Sequence, residues 1–354
     1  FKYIVKADGS VVGWGRDEQG LSARERTATG RITSLVPLAM PGPVRKIVAG
    51  GTSAYALLDD GRVLAWGAND SGQFGRGPST QRPDNPSSAW QPAPIGVERV
   101  TDLSAAESHV VAVLADGRVA AWGSGTGLNA SDGIVTLAGL TDVVQVAAGG
   151  VHNLALTKDG QVFGWGSNAG GQLGHPLTVD RLAQPTLIPG LDHIIAIGAS
   201  STSNFGFSAA LKADGTVWTW GSNQSATMGH GTFWGGPLGP KAVNEYPTPT
   251  MVKGITTART LAVGEGHVGV LLADGTLRLW GHDGWGQIGV GTSGFYAEAP
   301  KRPALTDVAA FYLAGNASFA VRRDGSVYWW GMAPTYGGGV LTVDKKTPAL
   351  LALP

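Results

Sequence analysis

Cysteine is absent from the 354 residues, and so is any excess of charge, since 26 Lys+Arg balance 26 Asp+Glu. Without cysteine there is no disulfide framework, no thiolate nucleophile and no Cys-ligated zinc. Without net positive charge there is no basic footprint of the kind that phosphate-backbone binding needs, which argues against nucleic acid as a partner. No apolar run approaches the ~18 residues of a transmembrane segment, and no helical period is convincing anywhere. Charged residues make up only 15% against 43% hydrophobic, the balance of a packed chain rather than a disordered one. A single core is near its limit at this length, which leaves several domains or one repeat array.

The surplus is in glycine, 55 residues, and tryptophan, 12 residues. Seven tryptophans (Trp14, Trp66, Trp122, Trp165, Trp220, Trp280, Trp330) share one pattern: Asp-Gly, one residue, Val or Leu, two residues, Trp-Gly. The Asp residues are Asp8, Asp60, Asp116, Asp159, Asp214, Asp274 and Asp324, at gaps of 52, 56, 43, 55, 60 and 50. A period near fifty marks a repeat architecture. Each copy reads as a hairpin, for example Val110–Leu114 and Val119–Trp122 about Asp116-Gly117, with a type I′ turn expected at Asp-Gly. A further strand precedes most copies, as in Ile47–Ala49, Val144–Val146, Ile194–Ile197, Leu261–Val263 and Val308–Leu313. A proline-led stretch such as Pro185–Ile188 supplies a fourth. Four short strands, seven times over, describe an all-β, seven-bladed propeller of four-stranded blades running through residues 1–354 as one domain. Radial repetition also disposes of exposed strand edges.

Residues 143–175 resemble a repeat of the regulator of chromosome condensation family, carrying in order AG-x-x-H, A-L, D-G, W-G-x-N and G-Q-L-G. Asn69 with Gly72–Gly75, and Gly286–Gly289, repeat the end of that motif. The resemblance covers essentially the whole chain and implies a seven-bladed propeller. The family's founding member is a nucleotide-exchange factor for a small nuclear GTPase that also docks on chromatin. This chain shows neither a basic N-terminal tail nor an identifiable counterpart of the insertion on which that activity depends. A plant ultraviolet-B photoreceptor that the chain also resembles senses light with clustered tryptophans, whereas the surplus here is dispersed.

Counting back seven residues from the turn Asp gives the repeat histidines His109, His152 and His267, and from Asp8 it gives Phe1. The chain therefore enters in mid-repeat, without an initiator Met, as expected of a cleaved leader or of a domain of a longer chain. Thr347–Leu353 is the expected ring-closing strand. Insertions between Trp-Gly and the next copy fall at one phase and should emerge on one face. The longest, 222–258, carries Phe233, Trp234 and Tyr246; residues 76–95 carry Trp90; a third carries Phe295 and Tyr296 near Trp285.

The turn Asp residues have hairpin spacing, not that of acid catalysts. Ser53 and Phe1 in the histidine register show that the slot needs no imidazole, which argues against a metal. Gly284–Gly289 matches a dinucleotide fingerprint, but no helix follows it and its glycines belong to the repeat. Asn69, Asn129, Asn223 and Asn316 fit glycosylation acceptors. No catalytic residue, metal site or cofactor is expected. The informative group is Trp90, Phe233, Trp234, Tyr246, Trp285, Phe295 and Tyr296, large aromatics in Gly/Pro-rich loops, the residue types that dominate binding hot spots. The expectation is a non-catalytic scaffold binding a protein through its loop-rich face. In architecture it resembles secreted bacterial propellers that inhibit β-lactamases, and an extracellular or periplasmic site is expected, with the cytoplasm as the alternative. An exchange factor, a glycan-binding module and a structural domain of a larger chain are the other readings.

Overall fold

The computed structural model describes residues 1–17, 19–23, 31–76, 88–125, 133–201, 206–231, 244–291, 294–333 and 344–352. Every regular element among them is a strand. Strands β1 (Lys2–Val5), β2 (Val11–Arg16) and β3 (Arg31–Leu38) form the first sheet. The second has β4 (Val44–Gly50), β5 (Ser53–Leu58), β6 (Val63–Ala68) and β7 (Ser88–Pro94). The third has β8 (Val100–Ala105), β9 (His109–Leu114), β10 (Val119–Gly123) and β11 (Val135–Thr136). The fourth has β12 (Val143–Ala148), β13 (His152–Thr157), β14 (Val162–Ser167) and β15 (Arg181–Leu187). The fifth has β16 (Ile194–Ala199), β17 (Phe207–Lys212), β18 (Val217–Ser222) and β19 (Glu245–Met251). The sixth has β20 (Ala258–Val263), β21 (His267–Leu272), β22 (Leu277–His282) and β23 (Tyr296–Lys301). The last has β24 (Val308–Ala314), β25 (Ala317–Arg322), β26 (Val327–Gly331) and β27 (Lys345–Leu351). This is the seven-bladed propeller topology that the repeat calls for. The first sheet enters at its second strand, as the count back from Asp8 requires.

The chain divides into two compact units, one made chiefly of Phe1–Ala148, the other chiefly of Gly149–Leu182 and Thr186–Ala333. Within the first, a core of Val11, Leu38, Ala56, Leu64 and Trp66 joins sheets one and two, and Tyr55, Leu103, Val110 and Trp122 join sheets two and three. Within the second, Phe207, Val217, Val268 and Trp280 form one inter-sheet core, and Leu279, Phe311, Ala320 and Trp330 another. All seven repeat tryptophans are fully buried. Because both faces of a blade are covered, its middle strands are continuous apolar runs; β5 and β6 are buried at every residue. The outermost strands carry Pro37, Pro94, Pro185, Pro247, Pro300 and Pro348. Proline on an edge strand blunts further pairing.

Glycine follows each repeat tryptophan because the ladder between third and fourth strands slips there, as between Ala65 and Gly67. Gly67 has φ of 97°, and a Cβ on it would lie 2.4 Å from the Thr52 carbonyl oxygen. Only glycine fits.

Two expectations need correction. The Asp-Gly turns are not type I′, which requires positive φ at two central residues; only the glycine has it (Gly61, 84°). Gly61 N donates to Leu58 O at 3.0 Å and Leu58 N to Arg62 O at 3.0 Å, so Leu58–Gly61 is a four-residue turn with Asp60 third, and Gly61 at its end forms the bulge. Thr347–Leu353 does not close a ring. Its described part lies in β27, which pairs with β26 as the fourth strand of the last sheet.

Candidate partner-binding loops

In every sheet the longest connections join the third strand to the fourth, at the end opposite the Asp-Gly turn. Five of these loops open on an Asx residue whose Oδ1 accepts an amide five residues on: Asp17 from Ser22 (2.6 Å), Asn69 from Phe74 (2.8 Å), Asn168 from Leu173 (2.9 Å), Asn223 from Met228 (3.1 Å) and Asp283 from Ile288 (2.9 Å). The Gln of G-Q-L-G folds back on the same turn, with Gln73 Oε1 accepting Ser71 N and Gln287 Oε1 accepting Trp285 N. These motif residues are buried. The dinucleotide-like glycines of 284–289 therefore belong to this turn, and no helix follows them. Asn69 and Asn223 are buried caps, unavailable as glycan acceptors, while Asn316 bonds Glu265 (2.7 Å) and Gln287 (3.1 Å). Asn129 lies outside the described residues.

The turn carbonyls clasp the next blade. Trp220 and Trp330 Nε1 donate to Gln172 and Gln287 O, each at 2.8 Å. Ser208 and Ser318 hydroxyls donate to the same two carbonyls at 2.8 and 2.7 Å. Their oxygens therefore accept from His152 Nε2 (2.9 Å) and His267 Nε2 (3.0 Å). The repeat histidines are thus engaged in packing. Among the described residues no three His, Cys, Asp or Glu side chains come together to hold a metal.

The turn aspartates are exposed caps. Asp8, Asp60, Asp116, Asp214, Asp274 and Asp324 each accept the amide two residues on, at 2.9–3.1 Å. Side-chain donors two residues on, foremost Ser10, Arg118, Thr216 and Ser326, and these amides bond the charged form and hold the carboxyls below their ordinary value.

The aromatic candidates separate by environment. Phe233 and Trp234 lie outside the described residues. Trp90 is on β7, half-buried, and a Cβ on Gly20 would lie 2.5 Å from its ring. Tyr246 pairs opposite Gly221, packs into the blade core and meets His230 edge-on at 5.5 Å. Trp285 is half-buried in its turn. Phe295 and Tyr296 are the exposed pair, 71% and 39% accessible, with ring centroids 6.5 Å apart. Tyr296 also meets the His282 ring edge-on at 5.7 Å. Burial pushes the His282 imidazole below its usual value, and its Nδ1 lies 2.7 Å from Gln287 Nε2. Sequence reasoning missed Tyr312, 62% accessible on β24. The available signal was bulk, because the same position in the other first strands holds Val48, Ser104, Ala147, Gly198 and Ala262.

Buried inter-blade tryptophans and Asx-headed loops define a repeat propeller. The profile described as regulator of chromosome condensation (RCC1) repeat matches residues 60–113, 159–206 and 214–271, and a second of the same description matches 44–73 and 143–172. Together they cover more than half of the chain, which belongs to the RCC1 repeat family. It is 32% identical over 351 residues to protein pim1 of Schizosaccharomyces pombe, covering 86% of this chain and 62% of that one. It is 25% identical over 337 residues to the mitochondrial RCC1 domain-containing protein RUG3 of Arabidopsis thaliana, covering 94% and 64%. The chain thus spans a little under two thirds of these relatives. The structure of yeast RCC1 (Prp20) bound to Kap60 matches in fold, with a TM-score of 0.81 at 22% identity over 97% of this chain and 84% of that one. No helix among the described residues is long and apolar enough to cross a membrane.

Proposed function

We propose that this chain is a non-catalytic scaffold that binds a protein partner through the loops between third and fourth strands. The observation that carries the proposal is the Phe295–Tyr296 pair, adjacent exposed rings on a loop whose opening turn is held by Asp283 and Gln287. Aromatic anchors of this kind supply most of the energy at protein interfaces. Solved relatives in fold give the reading support: yeast Prp20 has been crystallised with Kap60, and a study of Prp20p names binding to Gsp1p and histones. The longest loop, with Phe233 and Trp234, is a second anchor of the proposal.

The test is a pull-down with wild type, Phe295→Ala/Tyr296→Ala and Phe233→Ala/Trp234→Ala. One protein held by wild type and lost by a folded variant supports the reading and locates the face. Equal capture by all three discards these anchors. Binding on a glycan array with no protein captured replaces the protein partner by a sugar. The exchange-factor alternative predicts accelerated nucleotide release from a small GTPase, and no acceleration closes it. An exported or cell-envelope location in a bacterium belongs to the same proposal, because a cysteine-free chain has no thiol to mispair in an oxidising compartment. Cell fractionation decides it.

A further inference from the structure

The Asx residues that head the loops share one bond and differ in the other. Asn168 Nδ2 donates to the carbonyls of His175 (3.1 Å), Pro176 (3.3 Å) and Val179 (2.8 Å), closing its loop. Asp17, where an amide is missing, accepts the Ser22 hydroxyl on Oδ2 at 2.6 Å. Among the described residues Asp283 has neither arrangement. Its Oδ1 accepts Ile288 N, and isoleucine stands where Ser22 supplies a hydroxyl. The two loops run in the same register: Asn168 N donates to Asp180 O (2.7 Å) and Asp283 N to Phe295 O (2.6 Å). The counterparts of His175, Pro176 and Val179 are therefore Val290, Gly291 and Gly294. A carboxylate in an amide's place has no hydrogen to offer their carbonyls, and Asp283 is only 4% accessible.

We infer that Asp283 is a pH-sensitive latch on the loop that presents Phe295 and Tyr296. Protonated, its single Oδ2–H donates to one loop carbonyl, where the Asn168 amide offers two hydrogens; ionised, it withdraws that bond and the loop loosens. Lys346, from β27, acts on it and favours the ionised form, while the neighbouring His282, whose ring meets Gln287 and Tyr296, is pushed below its ordinary imidazole value by burial. Burial outweighs Lys346 and lifts the Asp283 carboxyl above the ordinary aspartate value. A folded-state pKa above the unfolded one means that the latch is complete below the ordinary aspartate range and is lost as pH rises to the raised value. Only the consequence for partner capture rests on the reading of Phe295 and Tyr296 as anchors. The latch itself is read directly from the loop.

The test is amide hydrogen exchange by mass spectrometry on the full chain, corrected for intrinsic rates, between about pH 4 and about pH 7. In wild type the segment from Ile288 to Gly291 loses protection as pH rises. In Asp283→Asn it stays protected throughout. In Asn168→Asp the equivalent segment from Leu173 to Pro176 acquires the same pH dependence. A flat wild-type profile, or an unchanged dependence in Asp283→Asn, overturns the latch. If Asn168→Asp does not fold, wild type and Asp283→Asn decide the matter between them. Retained loop behaviour with loss of the partner in Phe295→Ala/Tyr296→Ala separates the two proposals.

Discussion

Trp330 donates its indole N–H to the Gln287 carbonyl at 2.8 Å, so the tryptophan of the last blade is tied to the loop head of the blade before it. The same bond joins Trp66 to Leu21, Trp122 to Gln73, Trp220 to Gln172 and Trp280 to Thr227, at 2.8–3.0 Å. One side chain therefore fills the inter-blade core and fixes the loop of the preceding blade.

Trp330→Phe keeps most of the packing and loses this bond, and the carbonyl retains its Ser318 donor. The expected cost is about 1 kcal/mol, against ~3–5 kcal/mol for Trp330→Ala, read by urea denaturation.

His267 and Ser318 should be energetically coupled. Ser318→Ala leaves the His267 Nε2–H without its acceptor in a fully buried site, for a loss of about 1–3 kcal/mol. His267→Phe should be tolerated better in the Ser318→Ala background than alone, since Phe207 already fills the equivalent slot of the fifth blade. A double-mutant cycle checks the coupling, and strict additivity would exclude it.

Ala226 sits at φ of 58°, where the other loops have Gly72, Gly171 and Gly286. Ala226→Gly relieves left-handed strain at the cost of unfolded-state entropy, for a net gain of up to about 1 kcal/mol. A higher melting temperature is expected; a lower one would contradict the strain argument.

The turn aspartates and Asp283 should act oppositely on the pH profile. Asp60, Asp116 and Asp324 have folded pKa values below the unfolded ones, so their stabilisation is present at neutral pH and fades as pH falls through the folded values. Replacing all three by Asn should flatten the acid limb of melting temperature against pH. Asp283→Asn should instead gain most on wild type at neutral pH and least in acid, because the folded pKa of Asp283 is raised.

Residue type by itself determined the period, the strands and the blade count, because those positions answer local demands. Glycine stands where φ must be positive, an Asx oxygen where a turn amide needs an acceptor, and proline on edges that must not pair. The turn type was misread because Asp-Gly serves both a two-residue turn and a four-residue turn with a bulge, and only the backbone angles separate them. Which aromatics stay exposed was likewise beyond sequence. Tyr246 and Tyr296 both lie at the start of fourth strands in the same register, but Tyr246 is the second residue of its strand and Tyr296 the first, so Tyr246 stands opposite Gly221 and Tyr296 opposite His282. Successive residues of a strand point to opposite faces, so one ring enters the core and the other meets solvent. Trp90 follows the same lesson: a tryptophan in a loop-like stretch became a strand residue against Gly20, because the neighbouring blade offered apolar surface to cover.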